Sequence, residues 1–192
     1  NDPSEMLAVN ASHARTSVAL VETLRSLDLR HGIMCFSRTW TNPVIWAHYA
    51  DSHRGICLGF DVPGGVTQKI KYKKRRPVFP HLESLSESQR LAFIKGLLYT
   101  KFSDWRYEQE IRLSVSLDWK TLDNGMFFKE WDDDLKLAEV IVGYESATCR
   151  RELERALGDY KEPVRFVKAT PAFDSFTITN YLDNVWNHDD LV

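Results

Sequence analysis

The sequence predicts an α+β fold, with a mixed, largely antiparallel sheet and three or four flanking helices. The chain has 192 residues, 43% hydrophobic and 27% charged, which is typical of a globular chain about as long as one domain. Short apolar or alternating segments, separated by turn residues, are typical of strands. Helical patterns do not strictly alternate with these strands, which argues against a doubly wound parallel sheet. We therefore predict a single α+β domain over residues 1–192.

The first half of the chain predicts two helices and three strands. Apolar residues recur at helical spacing after Ser12, a typical N-cap residue, which predicts a helix over 12–28. Pro43 is typical of a first helical position and predicts a short helix over 44–51. The predicted strands cover residues 33–37, 56–62 and 66–72, with turns at 53–55 and 63–65.

The second half of the chain predicts two further helices and several strands. Ser86 and Gln89 have the spacing of a capping box and predict a helix that extends to about residue 100. Ser146 and Gly158 are typical of the start and the end of another helix, respectively. The predicted strands cover residues 107–117, 126–131, 137–144, 164–168 and 173–179.

Charge, cysteine content and hydropathy narrow the class of protein. The net charge of −2 gives no overall attraction to nucleic acid or to a membrane. Three widely spaced cysteines predict no disulfide framework and favour a reducing, cytoplasmic location. A run of about 18 apolar residues, as a membrane span requires, is absent from the sequence. The chain opens on the turn-forming residues 1–5 and not on Met, so we expect an upstream segment to be missing.

Several blocks of the sequence resemble those of one bacterial family. The blocks are residues 1–3 with residue 5, 35–37, 42–43, 46–50, 53–60, 105–112 and 140–143. Taken in this order, they resemble the bacterial family known as domain of unknown function 2971. In that family the first block usually follows a strand that carries an aromatic residue or a histidine-tyrosine pair. That strand is absent here, which agrees with a missing upstream segment.

Glu108, Glu110 and Arg112 are spaced two residues apart within a predicted strand. Because strand side chains alternate between faces, these three are predicted to lie on one face. One interpretation is an exposed face with surface ion pairs, which contribute little stability. The other is a catalytic group, in which one glutamate acts on a substrate hydroxyl or as a general base and is held by Arg112.

The Glu-x-Glu spacing also resembles the catalytic motif of the ADP-ribosyltransferase superfamily, which implies an ADP-ribosyltransferase-like fold. The resemblance implies that Glu110 contacts the ribose of NAD and stabilises an oxocarbenium-like state, with Glu108 beside it. Ser37, at the end of a predicted strand, matches a serine that orders the site around NAD in that superfamily. The alternative for Ser37 is a hydrogen bond within its own turn.

Trp46, His48 and Tyr49 lie on the predicted short helix. His48 is a candidate catalytic residue, and Trp46 and Tyr49, with Arg112, are candidates for binding NAD in a cleft next to Glu110. The alternatives are core packing for Trp46 and a structural role for His48. We also expect the blocks around His48 and Glu110 to meet in space. No metal is expected, because the cysteines and histidines nearby match no familiar zinc spacing.

Lys73, Lys74, Arg75 and Arg76 form the strongest basic run. It is either a solvated loop or a site that contacts the phosphates of a nucleic acid or a dinucleotide. Two functions therefore remain open. One is an NAD-dependent transferase or NAD glycohydrolase of a bacterial effector or toxin, acting on NAD and an unknown acceptor. The other is a non-catalytic nucleic-acid-binding module of a toxin or antiviral defence system.

Overall fold

A computed structural model describes residues 31–76, 78, 84–117 and 122–180. These residues form a mixture of helices and small, mostly antiparallel sheets, which confirms the predicted α+β class. The helix predicted over 12–28 lies outside the described residues. None of the helices in the described ranges is long and apolar enough to cross a membrane.

The described residues form twelve strands, three α-helices and one 3-10 helix. The strands are β1 His31–Ser37, β2 Ile56–Asp61, β3 Thr67–Lys69, β4 Lys71–Lys73, β5 Thr100–Phe102, β6 Glu110–Ser116, β7 Leu122–Asp123, β8 Met126–Phe127, β9 Lys136–Val142, β10 Arg165–Lys168, β11 Thr170–Pro171 and β12 Ile178–Thr179. The helices are α1 Pro43–Tyr49, α2 Glu87–Leu98 and α3 Arg150–Leu157, and the 3-10 helix is Ser103–Glu108.

The chain forms two compact units. The first combines Asn1–Arg38 with Gly65–Lys129, and the second combines Thr39–Gly64 with Glu130–Val192. Each unit is built from two separate stretches of chain, so neither could be outlined from local sequence patterns. The prediction of one domain over residues 1–192 stays a prediction.

The sheet of the first unit has β6 at its centre. Strands β1 and β3 pair with β6 on either side, and both pairings are antiparallel. Strands β4 and β5 form a separate parallel pair, and α2 lies between them in the sequence. A parallel pair needs a long crossover connection, which the segment containing α2 provides.

Helix α2 begins as predicted and ends earlier than predicted. The Gln89 amide donates to the Ser86 hydroxyl at 3.3 Å, and the Ser86 amide donates to the Gln89 side chain at 2.9 Å, so the capping box is confirmed. The helix ends at Leu98, and the residues around 100 that were predicted as its last turn form β5 instead. Pairing with β4, a tertiary contact, decides this conformation over local helix preference.

Two of the strands predicted for the first unit differ in the structure. The strand predicted over 66–72 is divided into β3 and β4 around Ile70, which is buried. The strand predicted over 107–117 starts only at Glu110, because the preceding residues form a 3-10 helix and Gln109 has a φ of 47°. A left-handed residue interrupts the two-residue alternation of a strand, so the pattern of side chains alone could not show this break.

The sheet of the second unit has β9 at its centre. Strand β2 pairs with it antiparallel and β10 pairs with it parallel, with α3 between β9 and β10 in the sequence. The strands predicted over 56–62, 137–144 and 164–168 are therefore confirmed. Side chains of β9 belong to two buried clusters. The first comprises Trp46, Ala50, Ile141, Val167, Ala169 and Ile178, and the second comprises Leu137, Val140, Val142 and Leu153.

Helix α1 starts as predicted and ends at Tyr49, two residues before the predicted end. Pro43 occupies the first turn, and the Asn42 side chain accepts a hydrogen bond from the Val44 amide at 2.9 Å. The indole of Trp46 is the buried side of the helix, with 2% of the residue exposed.

Helix α3 starts later than the sequence predicts. Its N-cap is Cys149, because Ser146 instead accepts a hydrogen bond from the Thr148 amide at 3.3 Å within the preceding turn. Gly158 ends the helix with a φ of 54°, as its position predicts. The strand predicted over 173–179 is replaced by the short β11–β12 pair, with Phe173 in the exposed loop.

Gly143 packs directly against a strained turn of the second unit. Three consecutive residues of that turn, Asp51, Ser52 and His53, have positive φ values of 45°, 52° and 70°. The Gly143 amide donates to the Gly55 carbonyl at 2.9 Å. A Cβ atom at position 143 would overlap the His53 carbonyl oxygen. Only glycine therefore allows β9 to approach this turn so closely.

Candidate functional site

The first unit contains a buried ionic cluster, formed by Lys101, Glu108, Glu110 and Arg112. These residues are 6%, 5%, 5% and 1% exposed, respectively. The Lys101 ammonium donates to Glu108 Oε2 at 2.6 Å and to Glu110 Oε2 at 3.0 Å. Arg112 Nε donates to Glu110 Oε1 at 2.6 Å. Two cations thus face two carboxylates, so the ionic cluster is neutral as a whole and its charges are paired.

Three separate elements bring the side chains of the ionic cluster together. Glu110 and Arg112 are two residues apart on β6 and share a face, as predicted. Glu108 is at the end of the 3-10 helix, so the prediction that it lies on the same strand face is wrong, although its carboxylate reaches the same cluster. Lys101 comes from β5, where it is the buried residue of the strand.

The burial of the ionic cluster also shows that the interpretation of its residues as an exposed strand face with surface ion pairs is wrong. Glu110 and Arg112 are nearly inaccessible to solvent. Breaking a surface pair costs about 0–1 kcal/mol, whereas removing one partner of a buried pair costs about 3–5 kcal/mol, because the remaining charge stays uncompensated. The sequence could not show this burial, because the alternation of side chains along a strand predicts which residues share a face and not whether other elements cover that face.

Backbone hydrogen bonds fix the ionic cluster to its surroundings. The Glu110 amide donates to the Tyr72 hydroxyl of β4 at 2.9 Å. The Arg112 guanidinium donates to the Leu98 carbonyl at the end of α2. Tyr72 comes directly before the four consecutive cations at residues 73–76, here called the basic loop, and Leu98 comes shortly before β5. These two hydrogen bonds therefore hold the start of the basic loop and the start of β5 near β6.

The pairing within the ionic cluster shifts the pKa values of its members. Burial by itself would raise the pKa of the Glu110 carboxyl, but hydrogen bonds from Arg112 and Lys101 outweigh burial and hold the pKa below its ordinary value. Burial by itself would lower the pKa of Lys101, but hydrogen bonds and negative charges from Glu108 and Glu110 raise it above its ordinary value. Both shifts favour the charged forms, so Glu110 is an ionised carboxylate at neutral pH and does not serve as a proton donor.

Ser37 lies beside the ionic cluster. It is the residue of β1 that pairs in register with Glu110 of β6. Its hydroxyl donates to the Glu108 carbonyl at 2.8 Å. Ser37 is itself exposed. The structure therefore brings together three of the residues that the sequence proposed as catalytic, namely Ser37, Glu108 and Glu110.

The three candidates on α1 belong to the second unit and differ in exposure. Trp46 packs in the core, with its indole nitrogen donating to the Trp40 carbonyl at 2.6 Å, which supports the core-packing alternative. His48 is exposed, and so is Tyr49, with 51% of the residue accessible. Glu110 lies in the first unit. That His48 and Glu110 share one cleft therefore stays a prediction.

The surroundings of His53 and Cys57 in the second unit indicate that both residues have a structural role. His53 stacks on Trp46, with ring centroids 6.2 Å apart and planes inclined by 10°. Burial and the charge of Glu139 raise the pKa of the Cys57 thiol to about 11, so this thiol stays protonated. Across the described ranges, no three histidine, cysteine or acidic residues are grouped closely enough to hold a metal ion.

A basic pocket lies next to the ionic cluster in the first unit. Its cavity volume is about 280 Å³. The described residues that line it are Lys73, Lys74, Arg75, Arg76, Thr100, Lys101 and Phe102. They include five cations and no acidic residue. Since the whole chain has a net charge of −2, positive charge is concentrated here against the overall balance.

Lys101 belongs to both the basic pocket and the ionic cluster. It lines the cavity, while its ammonium is held by Glu108 and Glu110. The sequence identified the four consecutive cations but not the wall formed by β5, because the helix was predicted to extend to about residue 100 and no strand was predicted at residues 101 and 102. The alternating burial of β5, with Lys101 buried and Phe102 exposed, appears only once the strand is recognised.

Comparisons of this chain with protein-family models, with curated proteins and with solved structures found no match. The resemblances to domain of unknown function 2971 and to the ADP-ribosyltransferases therefore stay predictions from short sequence blocks. The ionic cluster and the basic pocket are the features of the structure that bear on function.

Proposed function

We propose that this protein is a nucleic-acid-binding module that holds phosphate groups in the basic pocket. The observation that carries the proposal is the concentration of four exposed, consecutive cations around one cavity without an acidic residue among the described lining residues. Clustered lysine and arginine side chains attract a polyanion and release its condensed counterions on binding. Arginine adds paired donors that match the geometry of a phosphate.

The loop cations carry the phosphate contacts in this proposal. The Lys101 ammonium is already paired with two carboxylates, so it contributes little free positive charge. Lys73, Lys74, Arg75 and Arg76 are all exposed and can turn toward a ligand. A dinucleotide has a single diphosphate, whereas a nucleic-acid strand has a phosphate at every nucleotide. Four consecutive cations are better matched by the strand.

We expect neutralisation of loop cations to weaken binding and its salt dependence together. A K74Q/R75Q variant should bind a labelled oligonucleotide more weakly than the wild type. For a single strand, the slope of log affinity against log salt should decrease by about 0.7 for each phosphate that the variant no longer neutralises. The measurement is fluorescence anisotropy at several salt concentrations, with unlabelled NAD and tripolyphosphate as competitors that distinguish a strand from a small phosphate ligand.

The matched control for this experiment is R151Q/K161Q, which removes the same charge from two exposed positions of the second unit. It should leave the salt slope close to that of the wild type. Equal decreases in affinity for both double variants would mean a diffuse charge effect. That result, or an unchanged slope in K74Q/R75Q, would contradict a phosphate site in the basic pocket.

A second candidate function is an NAD-dependent ADP-ribosyltransferase-like or NAD-glycohydrolase-like activity. The observation that favours it is the register pairing of Ser37 with Glu110, next to a cavity that suits a diphosphate. Lys101 links the two, because it lines the cavity and contacts Glu110. A phosphate-anchored ligand could thus present its adjacent ribose to the carboxylates. An ADP-ribosyltransferase-like fold of the chain is part of this same proposal.

The chemistry of this second candidate needs a carboxylate near the anomeric carbon. The glycosidic bond of NAD breaks and nicotinamide leaves with the bonding electron pair. Positive charge then develops on the ribose, and water or an acceptor forms the new bond and loses a proton. Ionised Glu110 could stabilise that charge. In the structure both of its oxygens are in ion pairs, so substrate contact requires one pair to open.

We expect nicotinamide release from the wild type and its loss in E110Q if the second candidate is right. Removal of an electrostatic contact to a developing cation typically decreases the rate by about 10²–10³. Because Glu110 is buried and paired, E110Q also destabilises the fold, so melting curves must accompany the assay. S37A, at an exposed position, serves as a second variant that tests the same site with less damage. A wild type that releases no nicotinamide, with or without acceptors, would rule out this activity.

A further inference from the structure

We infer that the basic pocket selects single-stranded nucleic acid over duplex, with Phe102 as the surface on which an unpaired base stacks. This inference rests on the proposed nucleic-acid-binding function and specifies its ligand. It adds an aromatic contact to the electrostatic one, and each contact can be removed separately.

Phe102 has the position that such a stacking surface requires. It lines the cavity together with the loop cations and is 44% exposed, although it is a large apolar side chain. It lies on β5, directly after Lys101, and is exposed where Lys101 is buried. Lys101 is held by the ionic cluster. Pairing of Lys101 therefore fixes the strand that presents Phe102 to the cavity.

Phe102 is also placed beside the cations. Its register partner in the parallel pair of β4 and β5 is Lys73, the first of the four consecutive cations. Two nearby aromatic rings already have cationic neighbours: the Arg106 guanidinium lies 5.5 Å from the centroid of Tyr72, and the Lys101 ammonium lies 5.2 Å from that of Trp105. Of the described residues that line the cavity, Phe102 is the aromatic one.

The combination of cations and an exposed ring distinguishes between strand and duplex. In a duplex the bases are stacked on one another inside the helix, so its outside offers phosphates and base edges but no free base face. A single strand can place a phosphate at the loop and the face of an unpaired base on a ring. Stacking of a base on an aromatic side chain is a general device of single-strand-binding proteins and tolerates any base sequence. A cavity of about 280 Å³ is at the small end for ligand sites, which suits one nucleotide of a strand better than a whole duplex.

The test compares single-stranded DNA, single-stranded RNA and the matched duplex on the full chain. Fluorescence anisotropy should show tighter binding of the single strands than of the duplex for the wild type. In F102L, single-strand affinity should fall by about 5-fold to 150-fold, while duplex affinity stays within about 2-fold. F102W keeps an aromatic face and should restore single-strand binding. The control is F128L, because Phe128 is 56% exposed in the same unit and does not line the cavity.

The outcomes separate this inference from the function on which it rests. Equal affinity for strand and duplex, or equal effects of F102L and F128L, would overturn the stacking role while K74Q/R75Q still tests the phosphate site. If K74Q/R75Q has no effect on any ligand, the proposed function itself fails. A decrease in F102L that F102W does not restore would indicate damage to β5 and would also overturn the inference.

Discussion

The G143A variant is expected to lose a large part of the stability of the second unit. The added Cβ would overlap the His53 carbonyl oxygen and lie 2.7 Å from its carbonyl carbon. Both atoms belong to the backbone, so no side chain can rotate to make room. Overpacking in a well-packed region typically costs about 1–3 kcal/mol, and a backbone clash of this kind should cost about 3 kcal/mol or more. For a chain of this length, the melting temperature should decrease by roughly 6–12 °C.

The control for G143A is G64A in the same unit. A Cβ at position 64 would have no atom within 4 Å, and Gly64 does not have a positive φ. Its substitution should therefore leave the melting temperature nearly unchanged or slightly higher, since alanine restricts the unfolded chain more than glycine does. Calorimetry or circular dichroism melting curves measure both variants. If G143A melts like the wild type, the close approach of β9 to the turn at His53 does not exist in the protein.

The R112M variant is expected to destabilise the first unit more than any exposed charge substitution. Arg112 is 1% exposed, and its guanidinium pairs with Glu110. Methionine fills similar space without the charge, so Glu110 stays buried with Lys101 as its remaining cation. Removal of one partner of a buried pair costs about 3–5 kcal/mol. Urea unfolding curves should show this as a lower midpoint with a similar slope.

The matched control for R112M is R54M. Arg54 also pairs with a carboxylate, Asp51 at 2.9 Å, but the two side chains are 59% and 72% exposed. Removal of such a surface pair should leave the urea midpoint close to that of the wild type, because solvent screens the two charges. Comparable decreases of stability in R112M and R54M would show that the ionic cluster is solvated and that its ion pairs behave as surface pairs.

The sequence by itself determined the elements that depend on near neighbours in the chain. Pro43 starts α1, the pair Ser86 and Gln89 starts α2, and Gly158 ends α3. Each of these signals is a hydrogen bond or a backbone angle within a few residues, so it can be deduced from the order of amino acids. The basic loop could likewise be deduced from the sequence, because its four cations are consecutive. The α+β class followed from the succession of such elements.

Only the tertiary structure decided how the candidate site is assembled. The left-handed turn at Gln109 places Glu108 off the strand, and pairing with β4 turns the expected end of α2 into β5. Because Arg112 is buried, its ion pair with Glu110 is part of a buried cluster and not a surface pair. These outcomes depend on contacts between residues distant in sequence. Local preferences of a fraction of a kilocalorie per residue are readily overridden by such contacts, which is why the wall of the basic pocket could not be deduced from the sequence.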